Sequence, residues 1–103
     1  MTEEIFMFNA LWLKGEEGRR RYGEYGAQAM PLVERLGGSL DYALSPVAAV
    51  DDDFVPDVLA VVRYPSRQVF DDMMRSDEYR SFGHLRTGAA QRMILTECRR
   101  AFP

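Results

Sequence analysis

The sequence predicts a single α+β domain whose strands and helices run in the order β-α-β-β-α-β. Three observations predict it. Two strand-like runs are apolar on both alternating faces, a long amphipathic stretch closes on a glycine pair, and two serines stand where helix caps are needed after the third strand. The 103 residues are the size of one domain, and a hydrophobic share of 47% suits a folded core. A domain this small buries a modest core, and a second copy would help stabilise it.

Ile5 to Leu13 is the first strand, closed by Gly15. Ile5, Met7, Leu11 and Leu13 alternate with Phe6, Phe8, Ala10 and Trp12, so both faces need cover. Glu16 to Leu36 is the first helix. Glu16 and Glu17 suit the positive end of its dipole, and Tyr22, Tyr25, Gly26, Ala29, Val33 and Leu36 form one stripe at spacings of three and four. Gly37-Gly38 stops the helix. Pro31 lies inside it and predicts a kink or a break into two pieces.

Ser39 to Val50 is the second strand, with Leu40, Tyr42 and Leu44 on one face, and Pro46 marks an edge or a bulge. Asp51-Asp52-Asp53 is a turn, since three adjacent aspartates lack the spaced pattern of a calcium loop. Val58 to Tyr64 is the third strand, again apolar on both faces. Pro65 ends it, Ser66 caps a helix with Val69, Phe70, Met73 and Met74 on its inner stripe, and Ser76 caps a short further helix. Gln91 to Cys98 is the fourth strand.

This order is the split βαβ, or ferredoxin-like, arrangement, a four-stranded antiparallel sheet with helices on one face only. Its other face would lie open, yet the first and third strands are apolar on both. A homodimer that covers the open face is therefore expected.

Net charge and composition exclude some classes. At −3, with an acidic pI, the chain is not expected to bind nucleic acid. Arg19-Arg20-Arg21 is its one basic cluster and reads as a solvated helix face. The start, Met1-Thr2-Glu3-Glu4, is acidic where a signal peptide is basic, and the run from Ile5 to Leu13 is too short to span a bilayer. Cys98 is the only cysteine, which fits a reducing cytoplasm. It sits on a strand with no evident base and reads as inert core or interface. A cytoplasmic protein without membrane or nucleic-acid partners is expected. Dinucleotide, P-loop and zinc motifs are absent, and no cofactor or metal is expected.

Several pieces resemble a known family in order and separation: Tyr22-Gly23-Glu24-Tyr25, Leu36-Gly37-Gly38, the run from Pro56 to Ser66, Ser76-Asp77-Glu78-Tyr79, and Leu85-Arg86. Together they resemble an uncharacterised domain-of-unknown-function family of the dimeric α/β-barrel superfamily. The resemblance implies a ferredoxin-like fold that dimerises into an α/β barrel, without implying a reaction. The chain departs from the family at Arg63, where an acidic residue is usual, and at Ala49-Val50, where Glu-Gly is usual. Roles carried by those acids are not implied here. Relatives in the superfamily include cofactor-free monooxygenases, lactone isomerases and haem-degrading enzymes, many with a pocket between sheet and helices. The haem-degrading ones share Asn9 and the Ser-Asp-aromatic segment, but their Trp and His align with Met73 and Gly83, so that triad is broken.

Four residues are candidates for ligand binding: Arg86, Tyr22, Tyr25 and Asn9. Taking Tyr79 and Phe82 as inward, Arg86 falls on the same helix face, while His84, the only histidine, points roughly 140° away at about 100° per residue. An inward arginine is either an ion-paired structural residue, with Asp72, Glu78 or a carbonyl as partner, or a clamp for an anionic oxygen. Tyr22 and Tyr25 are core residues with hydroxyls at the rim or donors to the same pocket. Asn9 interrupts an apolar strand and needs partners, whether helix ends or a pocket. Trp12 and Tyr64 line either the pocket or the dimer seam. Two readings follow: a small-molecule-binding dimer, with a cofactor-free enzyme on a small anionic or enolisable substrate as its catalytic form, or a non-catalytic dimeric binding or assembly module. Haem binding or degradation is the less favoured third.

Overall fold

The computed structural model describes residues 3–102; Met1, Thr2 and Pro103 lie outside the described residues, and with them half of the acidic start. The elements are β1 (Ile5–Leu13), α1 (Gly15–Arg35), β2 (Ser39–Leu44), β3 (Val58–Tyr64), α2 (Arg67–Arg75), α3 (Asp77–Arg80), α4 (His84–Ala89) and β4 (Ala90–Cys98). They build a four-stranded antiparallel sheet in the order β2-β3-β1-β4, the ferredoxin-like arrangement that the element order predicts. No helix among the described residues is long and apolar enough to cross a membrane.

β1 and β3 are the central strands. Ile5, Met7, Asn9, Leu11 and Leu13 point toward the helices and are buried, while Phe6, Phe8 and Trp12 on the other face are only half-buried. Ile5, Leu11 and Val33 are at most 1% exposed. Side chains of that kind, fully removed from water, contribute roughly 1.5–3 kcal/mol each. The main core lies between Ile5, Met7, Val62 and Tyr64 of the sheet, Ala29, Leu32 and Val33 of α1, and Phe70, Met73, Tyr79 and Phe82 of the second helical segment.

α1 starts at Gly15, which has a positive φ of 59°, and ends in a turn at Gly37, whose φ of 89° is the left-handed conformation expected of the glycine pair. Its inner stripe takes Leu32 in place of Leu36, which lies past the last turn and is exposed. The helix passes through Pro31 as one element, so the expected break is not there. The donor that Pro31 lacks would have served the carbonyl of Ala27; both residues are exposed, so water can satisfy that carbonyl.

β2 differs more from expectation. It ends at Leu44, and segment 45–57 runs as an irregular connection that holds Pro46 and the three aspartates. β2 is an edge strand, as Pro46 suggests. A bulge between Leu40 and Tyr42 leaves Asp41 without a partner of its own. Leu40 therefore pairs with Val62 on the helix side, while Tyr42 and Leu44 pair with Val61 and Leu59 on the open face. The three residues do not share a face.

Ser66 and Ser76 cap as expected: each hydroxyl accepts the backbone N–H three residues on, from Val69 and Tyr79, at 3.1 Å. After Ser76 the chain forms two short helices, α3 and α4, and α4 runs directly into β4. Arg19, Arg20 and Arg21 lie on the exposed face of α1, paired with Asp57, Glu17 and Glu24.

Candidate functional site

Between the helix layer and the sheet lies a cavity of about 130 Å³ with a predominantly apolar lining. Its floor is Met7 and Asn9 of β1, Val58, Ala60, Val62 and Tyr64 of β3, and Leu95 of β4. Tyr22, Tyr25 and Met30 of α1 close one side, and Met74, Tyr79 and Arg86 of the second helical segment close the other. All four candidate residues line this one cavity. A space of roughly 150 Å³ with apolar walls holds a benzene-sized molecule, so this one suits a single ring or its equivalent.

Arg86 is half-buried on α4. Its Nη2 donates to Asn9 Oδ1 at 2.9 Å and its Nη1 to the Met93 sulfur at 3.3 Å. Among the described residues no carboxylate lies within 4 Å of it, so the ion pair with Asp72 or Glu78 does not form. Asp72 pairs with Arg75, and Glu78 with Arg35. A guanidinium carries five N–H donors, and two are used here. Asn9 in turn donates from Nδ2 to the carbonyls of Met7 at 3.1 Å and Ala60 at 3.4 Å. Those carbonyls fix which end of the amide faces Arg86.

The tyrosines divide into two kinds. Tyr25 and Tyr79 hold each other, hydroxyl to hydroxyl, at 2.9 Å. Tyr22 stacks on Tyr25 at 5.8 Å, and Tyr64 meets Phe70 edge-on at 5.1 Å. Neither the Tyr22 nor the Tyr64 hydroxyl bonds to another described residue. Burial pushes the phenols of Tyr22, Tyr25 and Tyr64 above the ordinary tyrosine value, with the Arg86 charge pulling weakly the other way. These phenols therefore stay protonated at neutral pH. The cavity lining contains no aspartate, glutamate, histidine or cysteine.

His84 is exposed, as the helical phase predicts. It lies in a shallow outer depression with Arg80, Thr87 and Gly83, which shares Met74, Tyr79 and Arg86 with the inner cavity. Arg86 thus stands between the cavity and the surface. Met73 is buried and Gly83 caps α4, so the positions aligned with the haem-degrading Trp and His offer neither side chain. Among the described residues no cluster of three or more His, Cys, Asp or Glu could hold a metal.

Trp12 and Tyr64, which sequence could not separate, lie apart. Tyr64 is in the cavity, and Trp12 is on the open face beneath Arg92 and Phe54. Arg63, where the family places an acid, ties β3 to the end of α1 by donating to the Gly37 carbonyl at 2.9 Å and to Ser39 Oγ at 3.1 Å. Sequence reasoning missed Asp57. Its carboxylate accepts the Leu13 N–H at 2.7 Å and its own N–H donates to the Leu11 carbonyl at 2.8 Å, which pins the end of β1. The Pro56-Asp57 pair just before a strand was the available signal.

Fold and cavity together define a ferredoxin-like α+β protein with a small, mainly apolar pocket lined by one arginine that has no carboxylate partner among the described residues. The chain belongs to the family of the domain of unknown function DUF1330, whose model matches residues 17–97. None of the curated proteins matches its sequence. Among solved structures it is similar to RPA0582, a protein of unknown function from Rhodopseudomonas palustris, with 24% identity and a TM-score of 0.86 over 100% of this chain and 86% of that one. It is also similar to a dimeric ferredoxin-like protein of unknown function from Jannaschia sp. CCS1, at 13% identity and a TM-score of 0.73, over 93% of this chain and 98% of that one. A third is a protein from Bacteriodes thetaiotaomicron, provisionally assigned as an antibiotic biosynthesis monooxygenase, at 14% identity and a TM-score of 0.67, over 98% of this chain and 92% of that one. At these identities the likeness is one of fold.

Proposed function

We propose that this protein binds a small, compact organic anion in the cavity between helices and sheet, with Arg86 as the clamp. The observation that carries the reading is the state of Arg86: half-buried, beside a mainly apolar cavity, with no carboxylate within reach and donors to spare. A guanidinium in such surroundings gains most from an anionic oxygen, and bidentate contact is the geometry it favours. Asn9 orients the guanidinium. Tyr22 offers an unbonded hydroxyl near it, and the Tyr25–Tyr79 pair keeps one proton that it can still donate.

The lining holds no group able to take a proton at neutral pH, so the reading is recognition of an existing anion, an enolate or phenolate included, rather than proton abstraction by the protein. The protein acts as a homodimer, joined through the open face of the sheet, in a reducing cytoplasm. The apolar open face and the dimeric Jannaschia relative support the first, and the single cysteine fits the second.

A thermal-shift screen tests the clamp. Benzoate and related small carboxylates should raise the Tm of the wild type with the logarithm of their concentration above Kd and leave Arg86→Ala unshifted. If no small carboxylate or phenolate stabilises the wild type, or if the variant responds equally, Arg86 serves structure and the non-catalytic assembly module is the better description.

A further inference from the structure

Of the two cavity tyrosines whose hydroxyls bond no other described residue, Tyr22 and Tyr64, the second is the more deeply buried. It is 5% exposed, yet its hydroxyl has no hydrogen-bond partner among the described residues. Among those residues no polar side-chain atom is both sealed from solvent and unpartnered. The Tyr64 hydroxyl must therefore reach open space, and the space Tyr64 lines is the cavity. No described residue bonds it there, so an occupant that displaces solvent from the cavity binds better if it supplies a partner.

The position of Tyr64 matters as much as its state. Arg86 reaches the sheet at Asn9, which pairs with Ala60 of β3. Tyr64 is four residues further along β3, roughly 13 Å at strand spacing before either side chain reaches inward. Between them the walls are apolar, formed by Met7, Val62, Met30 and Met74. Tyr25 and Tyr79, the other hydroxyls at that side, are already bonded to each other.

We infer that the ligand is bifunctional: an anionic group at Arg86, a ring-sized apolar body, and a second oxygen at the far end hydrogen-bonded to the Tyr64 hydroxyl. Hydroxybenzoates have this pattern. The inference rests on the anion-clamp reading above and narrows its ligand class.

Calorimetric titration of the full chain with benzoate, 3-hydroxybenzoate and 4-hydroxybenzoate tests it, on wild type, Tyr64→Phe and Arg86→Gln. One hydroxybenzoate should bind the wild type roughly fivefold or more tighter than benzoate, the worth of one net hydrogen bond. In Tyr64→Phe that advantage should vanish while benzoate affinity stays unchanged. Arg86→Gln should weaken all three. Unliganded Tyr64→Phe should keep the wild-type Tm, because the lost hydroxyl has no protein partner; a marked fall would show a structural bond and overturn the inference. Benzoate binding that depends on Arg86, with no hydroxyl advantage or with one that survives in Tyr64→Phe, overturns the bifunctional ligand alone. No binding at all, or binding indifferent to Arg86→Gln, overturns the clamp as well.

Discussion

Arg86 Nη2 donates to Asn9 Oδ1 across 2.9 Å, joining α4 to the middle of β1. The Asn9 amide is held from behind by two backbone carbonyls, so it presents only its oxygen to the guanidinium. A neutral partner orients Arg86 without neutralising it. Asn9→Asp should therefore abolish anion binding: the new carboxylate would pair with Arg86 in place of the ligand. It would also leave the Met7 and Ala60 carbonyls facing an anion instead of a donor, at a cost of roughly 1–3 kcal/mol of stability. Paired thermal and ligand-shift measurements check both effects. An Asn9→Asp variant that still binds small carboxylates would contradict the role of Asn9.

The buried phenols predict an alkaline limit. Tyr22, Tyr25 and Tyr64 have pKa values raised in the folded state, first by burial. Below the unfolded phenol pKa of about 10 both states are protonated and stability is full. Above it the unfolded chain loses protons that the folded chain keeps, so stability falls as pH rises. Tm should decline from about pH 10 upward, and the 295 nm phenolate absorbance of Tyr25 and Tyr64 should rise only together with loss of the far-UV signal. Tyr64→Phe should soften the decline. Ionisation of Tyr25 and Tyr64 in a folded chain would contradict it.

Local features were legible in the sequence. Ser66 and Ser76 cap because a hydroxyl three residues before a free N–H is a local geometry. The inward phase of Arg86 followed from its spacing to Tyr79 and Phe82, and the turn after Tyr79 preserved it even though α3 and α4 are separate helices. Features set by distant partners were not legible. The bulge at Asp41 arises from pairing with β3 and turns Tyr42 and Leu44 to the opposite face. The Tyr25–Tyr79 bond joins residues 54 apart in the chain. Spacing places Arg86 inward, but whether a carboxylate meets it depends on where the fold puts Asp72 and Glu78, which pair with Arg75 and Arg35.

Gly18 is a point of close approach between α1 and the end of α4. A Cβ there would lie 2.4 Å from the Ala89 carbonyl oxygen. That oxygen cannot easily yield, because it accepts the Lys14 N–H at 2.9 Å and Ala89 leads straight into β4. Gly18→Ala should cost about 1–3 kcal/mol despite alanine's better helix propensity. For a domain of this size each kcal/mol lowers Tm by roughly 4–8 °C, readily seen in a melt. An unchanged Tm would mean that α1 can shift away from α4 freely.

The open face of the sheet carries the last prediction. Phe6, Phe8, Trp12, Leu59, Val61 and Ile94 are half-buried there, with no helix above them. The chain covers part of this face itself. Phe54 packs against Trp12 at 5.6 Å and Phe8 at 6.5 Å, and the guanidinium groups of Arg92 and Arg100 lie over Trp12 and Phe6 at 4.3 and 4.9 Å. Arginine over an aromatic ring is a common pairing at wet edges of an interface, and it leaves the centre around Val61 uncovered. Val61 pairs with Phe8 of β1 and Tyr42 of β2, so in the proposed dimer a charge placed there would be forced out of water by the second copy. That costs several kcal/mol, and roughly 3 kcal/mol already weakens association more than a hundredfold. Val61→Glu should therefore change the light-scattering mass at micromolar concentration from two chains to one, while the helix-side core and ligand response of the monomer persist. A wild-type mass of one chain under the same conditions would show that this face is closed by its own Phe54 and arginines, without a second copy.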